Sequence, residues 1–177
     1  SPDAYKIQLA GGEPFMIKRF ASMLKKVKNT DCEIIVNTNG TIVTDALFDQ
    51  LCRFKKVQIV ISLDGYGELN NYIRRGSNWE TIVDNIGLFQ RAGFSLLVNT
   101  VVQKDNISHL SQLGEFLQTV GIDNWLLSNL FEPKELCWEN CRSINFDDVR
   151  KTLNMSAIQR NDISVSLLKA VLEKEKQ

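Results

Sequence analysis

Short apolar runs alternate along this chain with longer stretches in which apolar residues recur every three to four positions. The first period marks strands and the second marks helices packed by one face. The runs Tyr5 to Ala10, Glu33 to Asn37, Val57 to Leu63, Ser95 to Val102 and about Trp125 to Leu130 predict five strands. Between them, Phe15, Ile17, Phe20, Met23, Leu24 and Val27 predict a helix from Pro14 to about Val27. Ala46, Leu47, Leu51 and Phe54 predict a second, with Thr44 as its cap. Ile82, Val83, Ile86, Leu88 and Phe89 predict a third, closed at Ala92-Gly93, and Leu110, Leu113, Phe116, Leu117 and Val120 a fourth, capped by Ser108 and ended by Gly121. Tyr66 to Asn78 reads as a polar loop. After Pro133 no strand is expected, and two helices are: Phe146 to Asn154, and Ile163 to Glu175 with Val165, Leu168, Val171 and Leu172 on one face.

Strands alternating with helices through short connections predict a parallel sheet with right-handed crossovers. The β-branched run Val57 to Leu63 suits a sheet covered on both faces. An eight-unit barrel takes about 250 residues, so 177 residues supply part of a barrel or an open sheet. Parallel strands bring their C-terminal ends to one face, where α/β proteins bind ligands. Those ends carry Gly11-Gly12-Glu13, Asn37-Thr38-Asn39-Gly40, Ser62 with Asp64-Gly65, Asn99-Thr100 and Ser128-Asn129. Asn37, Ser62, Asn99 and Ser128 lie within or at the very end of their apolar runs. A buried polar group without a partner costs roughly 1–3 kcal/mol, so a polar ligand is the economical partner.

Charge narrows the partners. Lys plus Arg and Asp plus Glu number 21 each, which leaves no field favouring nucleic acid or an anionic membrane. With no run of membrane-spanning length and no leader-like N-terminus, a cytoplasmic location is expected. Four cysteines do not make a disulfide framework; Cys32 and Cys52 are expected in the core. His109 is expected at the surface, and Trp79, Trp125 and Trp138 in packing. The chain opens Ser1-Pro2-Asp3 and enters a strand almost at once, as a piece of something longer would.

Gly11-Gly12-Glu13-Pro14 after the first strand, Asn37-Thr38-Asn39-Gly40 after the second, Ser62-Leu63-Asp64-Gly65 after the third and Asn99-Thr100-Val101-Val102 in the fourth resemble the core of radical S-adenosylmethionine (radical SAM) enzymes. The spacing is similar to that of the branch that modifies peptides and proteins. The resemblance spans Tyr5 to Pro133 and implies a partial (βα) barrel, about five parallel strands with helices outside, over residues 1–133, with a helical C-terminal extension over 134–177. It implies S-adenosylmethionine and a 4Fe-4S cluster as cofactors, and a peptide or protein substrate and an electron donor as partners. Gly11, Gly12 and Glu13 match the motif that receives the amino group of the methionine moiety. Ser62, and Arg74 or Arg75 in the loop behind Asp64, match positions that hold the methionine carboxylate or the ribose. Asn99 matches a ribose contact, Ser128 lies in a strand passing the adenine, and Asn37, Thr38 and Asn39 line the same mouth.

The family's cluster is held by a Cys-x-x-x-Cys-x-x-Cys loop before the Gly-Gly-Glu-Pro strand. Ten residues precede Gly11 here and none is cysteine. The cluster segment is therefore expected upstream of this chain, which alone is expected to be inactive. Cys137-Trp138-Glu139-Asn140-Cys141 has the first spacing of that loop, but position 144 is Ile. Two reduced cysteines in a short helix is the simpler expectation, and an auxiliary cluster or zinc site with ligands from elsewhere is the other. The alternative function is a cluster-less radical SAM-like domain that binds or scaffolds a partner. An α/β-barrel fragment binding a phosphorylated metabolite would want a late glycine-rich phosphate loop, which is missing after Ser128.

Overall fold

The computed structural model describes residues 5–141, 143–159 and 161–174. The expected helix end Glu175 and the side chains of Val165 and Leu172 lie outside the described residues. Five parallel strands form one sheet in the order β1-β2-β3-β4-β5: β1 Lys6–Leu9, β2 Glu33–Thr38, β3 Lys56–Ser62, β4 Ser95–Val102 and β5 Trp125–Asn129. With helices between them, this is the α/β sheet that the alternating periods predict. The chain divides into two compact units, Ser1–Ser62 with Ser77–Leu97, and Leu63–Gly76 with Val98–Gln177.

In the first unit, β1 pairs with β2 from Lys6↔Glu33 to Leu9↔Val36, and β2 with β3 from Glu33↔Lys56 to Thr38↔Ile61. Ile34, Val36, Ile59 and Ile61 are fully buried. Against them lie the apolar residues of α2 (Asp45–Leu51) and α4 (Trp79–Arg91), among which Leu47, Leu51, Ile82 and Ile86 are at most 2% exposed. Phe89 stands 5.8 Å from Phe15 and 6.3 Å from Phe94 between ring centres, each pair tilted by 30°, within the range at which aromatic pairs add attraction to buried area. The Asn78 side chain caps α4 by accepting from the Thr81 N–H, and Gly93, at φ +74°, closes it as the sequence predicts.

The predicted first helix is interrupted. A 3-10 turn, Pro14–Met16, ends at Ile17 in extended backbone, and α1 covers Lys18–Leu24 alone. The reason is competition for Phe15: its carbonyl accepts from the Thr44 hydroxyl at 3.0 Å and its N–H donates to Glu13. Thr44 is thereby taken from the capping role expected of it, and α2 has no side-chain cap. Met16 and Met23, expected or adjacent to the buried stripe, are 65% and 51% exposed. Cys52, expected in the core, is exposed because α2 turns it outward, whereas Cys32 is buried.

In the second unit, β4 pairs with β5 from Val98↔Trp125 to Val102↔Asn129. The expected polar loop contains a helix, α3 (Glu68–Ile73), whose Leu69 and Ile73 lack enough apolar neighbours to announce it by periodicity. α5 (Leu110–Thr119) buries Leu110, Leu113 and Leu117. Its N-terminal cap is not Ser108, whose hydroxyl instead accepts from the Asn145 N–H; Asp148 serves the helix start by accepting from the Ser111 N–H and hydroxyl. Asp148 lies on α6 (Phe146–Leu153), so the tail supplies what the local sequence does not. The tail also pairs with the sheet: Ile158 bridges Trp125 in parallel, with Trp125 N–H donating to Ala157 O and Gln159 N–H to Trp125 O. The last helix is α7, Asp162–Lys174.

Candidate functional site

In the first unit the site is organised by one carboxylate. Gly11 and Gly12 take φ of +90° and +55°, which only glycine adopts without strain, and turn the chain sharply after β1. Glu13 follows in extended backbone. Its Oε1 accepts from the Thr38 hydroxyl at 2.7 Å and the Phe15 N–H at 3.2 Å, and its Oε2 from the Asn39 N–H at 2.8 Å. A carboxylate offers about four acceptor sites, so one remains beyond these three donors. Asn39 Oδ1 in turn accepts from the Thr41 N–H and hydroxyl, and the Thr38 hydroxyl accepts from the Gly40 N–H. The Gly-Gly-Glu and Asn-Thr-Asn-Gly stretches, 25 residues apart, thus form one hydrogen-bonded loop pair. Asn37 Oδ1 accepts a long 3.5 Å bond from Gln8, and Ser62, half-buried at the end of β3, has no side-chain partner among the described residues.

In the second unit the carboxylate is Asp64, and it is buried. Oδ1 accepts from the Val101 N–H at 2.8 Å, and Oδ2 lies 2.8 Å from Arg74 Nε. Burial pushes the Asp64 carboxyl above its usual range, against the opposing pull of Arg74 and of the Val101 N–H. Two side-chain amides hold its backbone: Asn70 Oδ1 accepts from the Asp64 N–H, and Asn106 Nδ2 donates to the carbonyls of Asp64 and Val101. Both asparagines are fully buried. Sequence reading missed them, because Asn70 lies in a polar loop and Asn106 in the polar run Gln103-Lys104-Asp105-Asn106, where neither differs in type from a solvated residue. Arg75, the other arginine of the pair, is exposed. Asn99 and Ser128 meet each other, the Ser128 hydroxyl donating to Asn99 Oδ1 at 2.6 Å.

The thiols do not gather. Cys137 and Cys141 do not share a helix face; they flank a single 3-10 turn, Trp138–Asn140, and both have extended backbone. Cys137 Sγ donates to Leu130 O and Cys141 Sγ to Ser143 O. Burial, with Glu139, Glu132 and Glu135 adding to it, pushes the Cys137 thiol up, away from the thiolate that ligates metal. Among the described residues no three His, Cys, Asp or Glu side chains stand close enough together to hold a metal ion.

The sequence model of the radical SAM superfamily matches residues 2–117. The chain belongs to this superfamily. A relative in Pyrococcus furiosus, the tungsten-containing aldehyde ferredoxin oxidoreductase cofactor-modifying protein, is 30% identical over 138 residues, 73% of this chain and 39% of that protein. Among solved structures, Streptococcus suis SuiB bound to S-adenosylmethionine superposes with a TM-score of 0.64 at 18% identity, over 96% of this chain and 36% of that one. Native anSMEcpe with bound AdoMet and a Kp18Cys peptide superposes at 0.63 and 18% identity, over 84% and 44%. These likenesses show a shared fold, and this chain spans roughly two fifths of the relatives it matches.

Radical SAM proteins are enzymes that bind S-adenosylmethionine and a 4Fe-4S cluster. The residues present suit the first group. Apart from their chain neighbours, no atom of the described residues lies within 4 Å of where a Cβ would stand on Gly11 or Gly12, so their backbone is open to a ligand. They do not suit the second, because such a cluster takes thiolate ligands and the described cysteines are dispersed. No helix among the described residues is long and apolar enough to cross a membrane.

Proposed function

We propose that this chain is the part of a radical SAM enzyme that positions S-adenosylmethionine for reductive cleavage to a 5′-deoxyadenosyl radical, with a peptide or protein as the substrate that loses hydrogen. The observation that carries the reading is the Gly11-Gly12-Glu13 turn, open on its glycine side and fixed from behind by Thr38 and Asn39. A bound S-adenosylmethionine supplies the carbon–sulfur bond whose one-electron reduction yields the radical. The chain's own part is binding and orientation. Backbone carbonyls of the glycine turn and the remaining acceptor site of Glu13 take the ammonium, a pairing that charge strengthens. Ser62, whose hydroxyl has no partner among the described residues, takes the carboxylate.

The peptide substrate is supported by neighbours of the same fold that hold peptides, SuiB with its precursor peptide SuiA and anSMEcpe with a Cys peptide. Cluster ligands and electron donor lie outside this sequence in this reading, and the chain alone leaves S-adenosylmethionine intact. The dispersed thiols favour a second reading, a cluster-less domain that binds a partner.

The test uses the natural polypeptide containing this chain, reconstituted anaerobically with iron and sulfide and assayed for bound iron and for 5′-deoxyadenosine under a reductant. Iron uptake with 5′-deoxyadenosine, its formation weakened by Glu13→Ala or Ser62→Ala, is the expected result. A natural protein that takes up no iron and leaves S-adenosylmethionine unchanged overturns the enzyme and leaves the binding domain.

A further inference from the structure

Charge is balanced over the whole chain and lopsided in one stretch of the first unit. No acidic residue stands between Glu13 and Asp31, whereas Lys18, Arg19, Lys25, Lys26 and Lys28 all do. All five are exposed, and none makes an ion pair or donates a side-chain hydrogen bond among the described residues. The backbone stays helical through Lys25, and the Lys26 and Val27 N–H groups continue the turn onto Met23 O and Leu24 O. Lys18 and Lys25, like Arg19 and Lys26, are therefore about two helical turns apart on one side of α1. The other side is the core stripe, where Leu24 and Val27 are buried.

Helix stability does not account for this arrangement. Cations are favourable at a helix C-terminus and unfavourable at its N-terminus. Lys18 and Arg19 nevertheless occupy the first two positions of α1, with no acid in the first turn to offset them. At the other end, Arg53 already donates to the carbonyls of Leu24 and Val27, so Lys25, Lys26 and Lys28 are not needed there. The neighbouring α2 brings the exposed Asp45 and Asp49, and Arg53 follows it, which leaves the two helices together positive. Exposed Met16 and Met23 stand among the cations, and flexible thioether side chains suit an adaptable contact surface.

We propose that this basic face of α1 docks a small acidic electron-transfer protein. This rests on the S-adenosylmethionine reading above, in which the electron comes from outside the chain. The face is suited to that partner because the Pro14–Met16 turn joins it directly to Glu13, and because its charge complements an acidic surface. A membrane is the poorer occupant, since the apolar side of α1 that would have to insert is already used in the core. Nucleic acid is poorer too. Four of the five cations are lysines, without the guanidinium fork that grips phosphate, and no aromatic side chain of residues 14–28 is exposed for a base to stack on.

The test is calorimetric binding of two acidic probes, oxidised flavodoxin and oxidised ferredoxin, to the natural polypeptide containing this chain over a range of NaCl. Beside it, 5′-deoxyadenosine formation is measured with each carrier reduced beforehand and with dithionite. The unmodified protein is expected to bind at least one carrier, with affinity falling as salt rises. Combining Lys18→Glu, Arg19→Glu and Lys25→Glu weakens that binding by about tenfold or more at low salt and flattens its salt dependence. The same variant slows product formation with the carrier and leaves the dithionite rate unchanged. Replacing the same three residues by Gln, which adds no repulsion, gives a smaller loss in the same direction. Lys169→Glu, on α7, changes neither readout. Thermal melting shows that each variant is folded. Carrier binding that the Glu and Gln variants leave unchanged, or an equal loss of rate with dithionite, overturns the docking face while the S-adenosylmethionine reading stands. So does an unmodified protein that binds neither carrier but takes up single-stranded DNA or phosphatidylglycerol vesicles through the same residues. No 5′-deoxyadenosine from the unmodified protein with any reductant overturns that reading and the proposal together.

Discussion

Glu13 in the first unit and Asp64 in the second both follow a strand, and local sequence gives each the same aspect: an acid beside glycine at the mouth of a sheet. Their surroundings differ. Glu13 is half-buried and satisfied by three neutral donors, a hydroxyl and two backbone N–H groups, with no ion pair among the described residues. Asp64 is buried, paired with Arg74, and braced through its backbone by two side-chain amides. The first is a loop fastener that leaves open backbone in front of it. The second is a hub on which an arginine is hung, and its dependence on partners is correspondingly greater.

The sharpest way to break this contrast is Asn106→Ala. It strips the Asp64 and Val101 carbonyls of a donor and the Gln103 N–H of its acceptor, all in a fully buried site, and is expected to destabilise the protein by about 3 kcal/mol in urea unfolding. A loss below about 1 kcal/mol would mean that the hub does not depend on its amide brace. Glu13→Gln keeps the shape of the fastener but sets an amide donor against one of the N–H groups it now accepts from. The expected cost is about 1–2 kcal/mol, smaller because the site is reachable by water. If Glu13→Gln costs more than Asn106→Ala, the ranking of the two regions is reversed.

The smallest effect is in pH dependence. Because burial raises the Asp64 carboxyl, the folded state holds its proton at pH values where the unfolded chain, with a carboxyl near about 3.9, has lost it. Folding therefore binds a proton over that window, and this residue's contribution to stability falls as pH rises from the unfolded value through the folded one. Paired urea unfolding of the unmodified protein and Asp64→Asn is expected to show the stability difference moving in favour of the unmodified protein as pH is lowered from neutrality into that window. The opposite slope would show that Arg74 outweighs burial at this site.

Much of the fold is legible in sequence, and the reason is burial. β4 was read at Ser95 to Val102 as observed, and β2, β3 and β5 within a residue or so, because buried strands leave little freedom in composition. α4 was equally plain, from its apolar face and its C-terminal glycine. What escaped were features settled by a partner far away. The first helix breaks at Ile17 because Thr44, 29 residues from Phe15, takes the Phe15 carbonyl. α5 is capped by Asp148 from the tail, 37 residues beyond Ser111, so a search near the helix start found Ser108 instead. At the candidate site the motifs named Glu13, Thr38 and Asn39 but could not say that the last two bind the first. Nor could they find Asn70 and Asn106, whose amides matter only once the chain has brought them against Asp64.

By itself the sequence determined the alternating strands and helices, the parallel sheet and membership of the radical SAM superfamily, because these follow from hydrophobic period and from short motifs fixed to strand ends. The tertiary structure decided which carboxylate is buried, which of two neighbouring arginines is anchored and which cysteine faces water. Each of those depends on desolvation and on donors brought together over tens of residues. Local sequence encodes the groups; only the folded chain sets their dielectric and their partners.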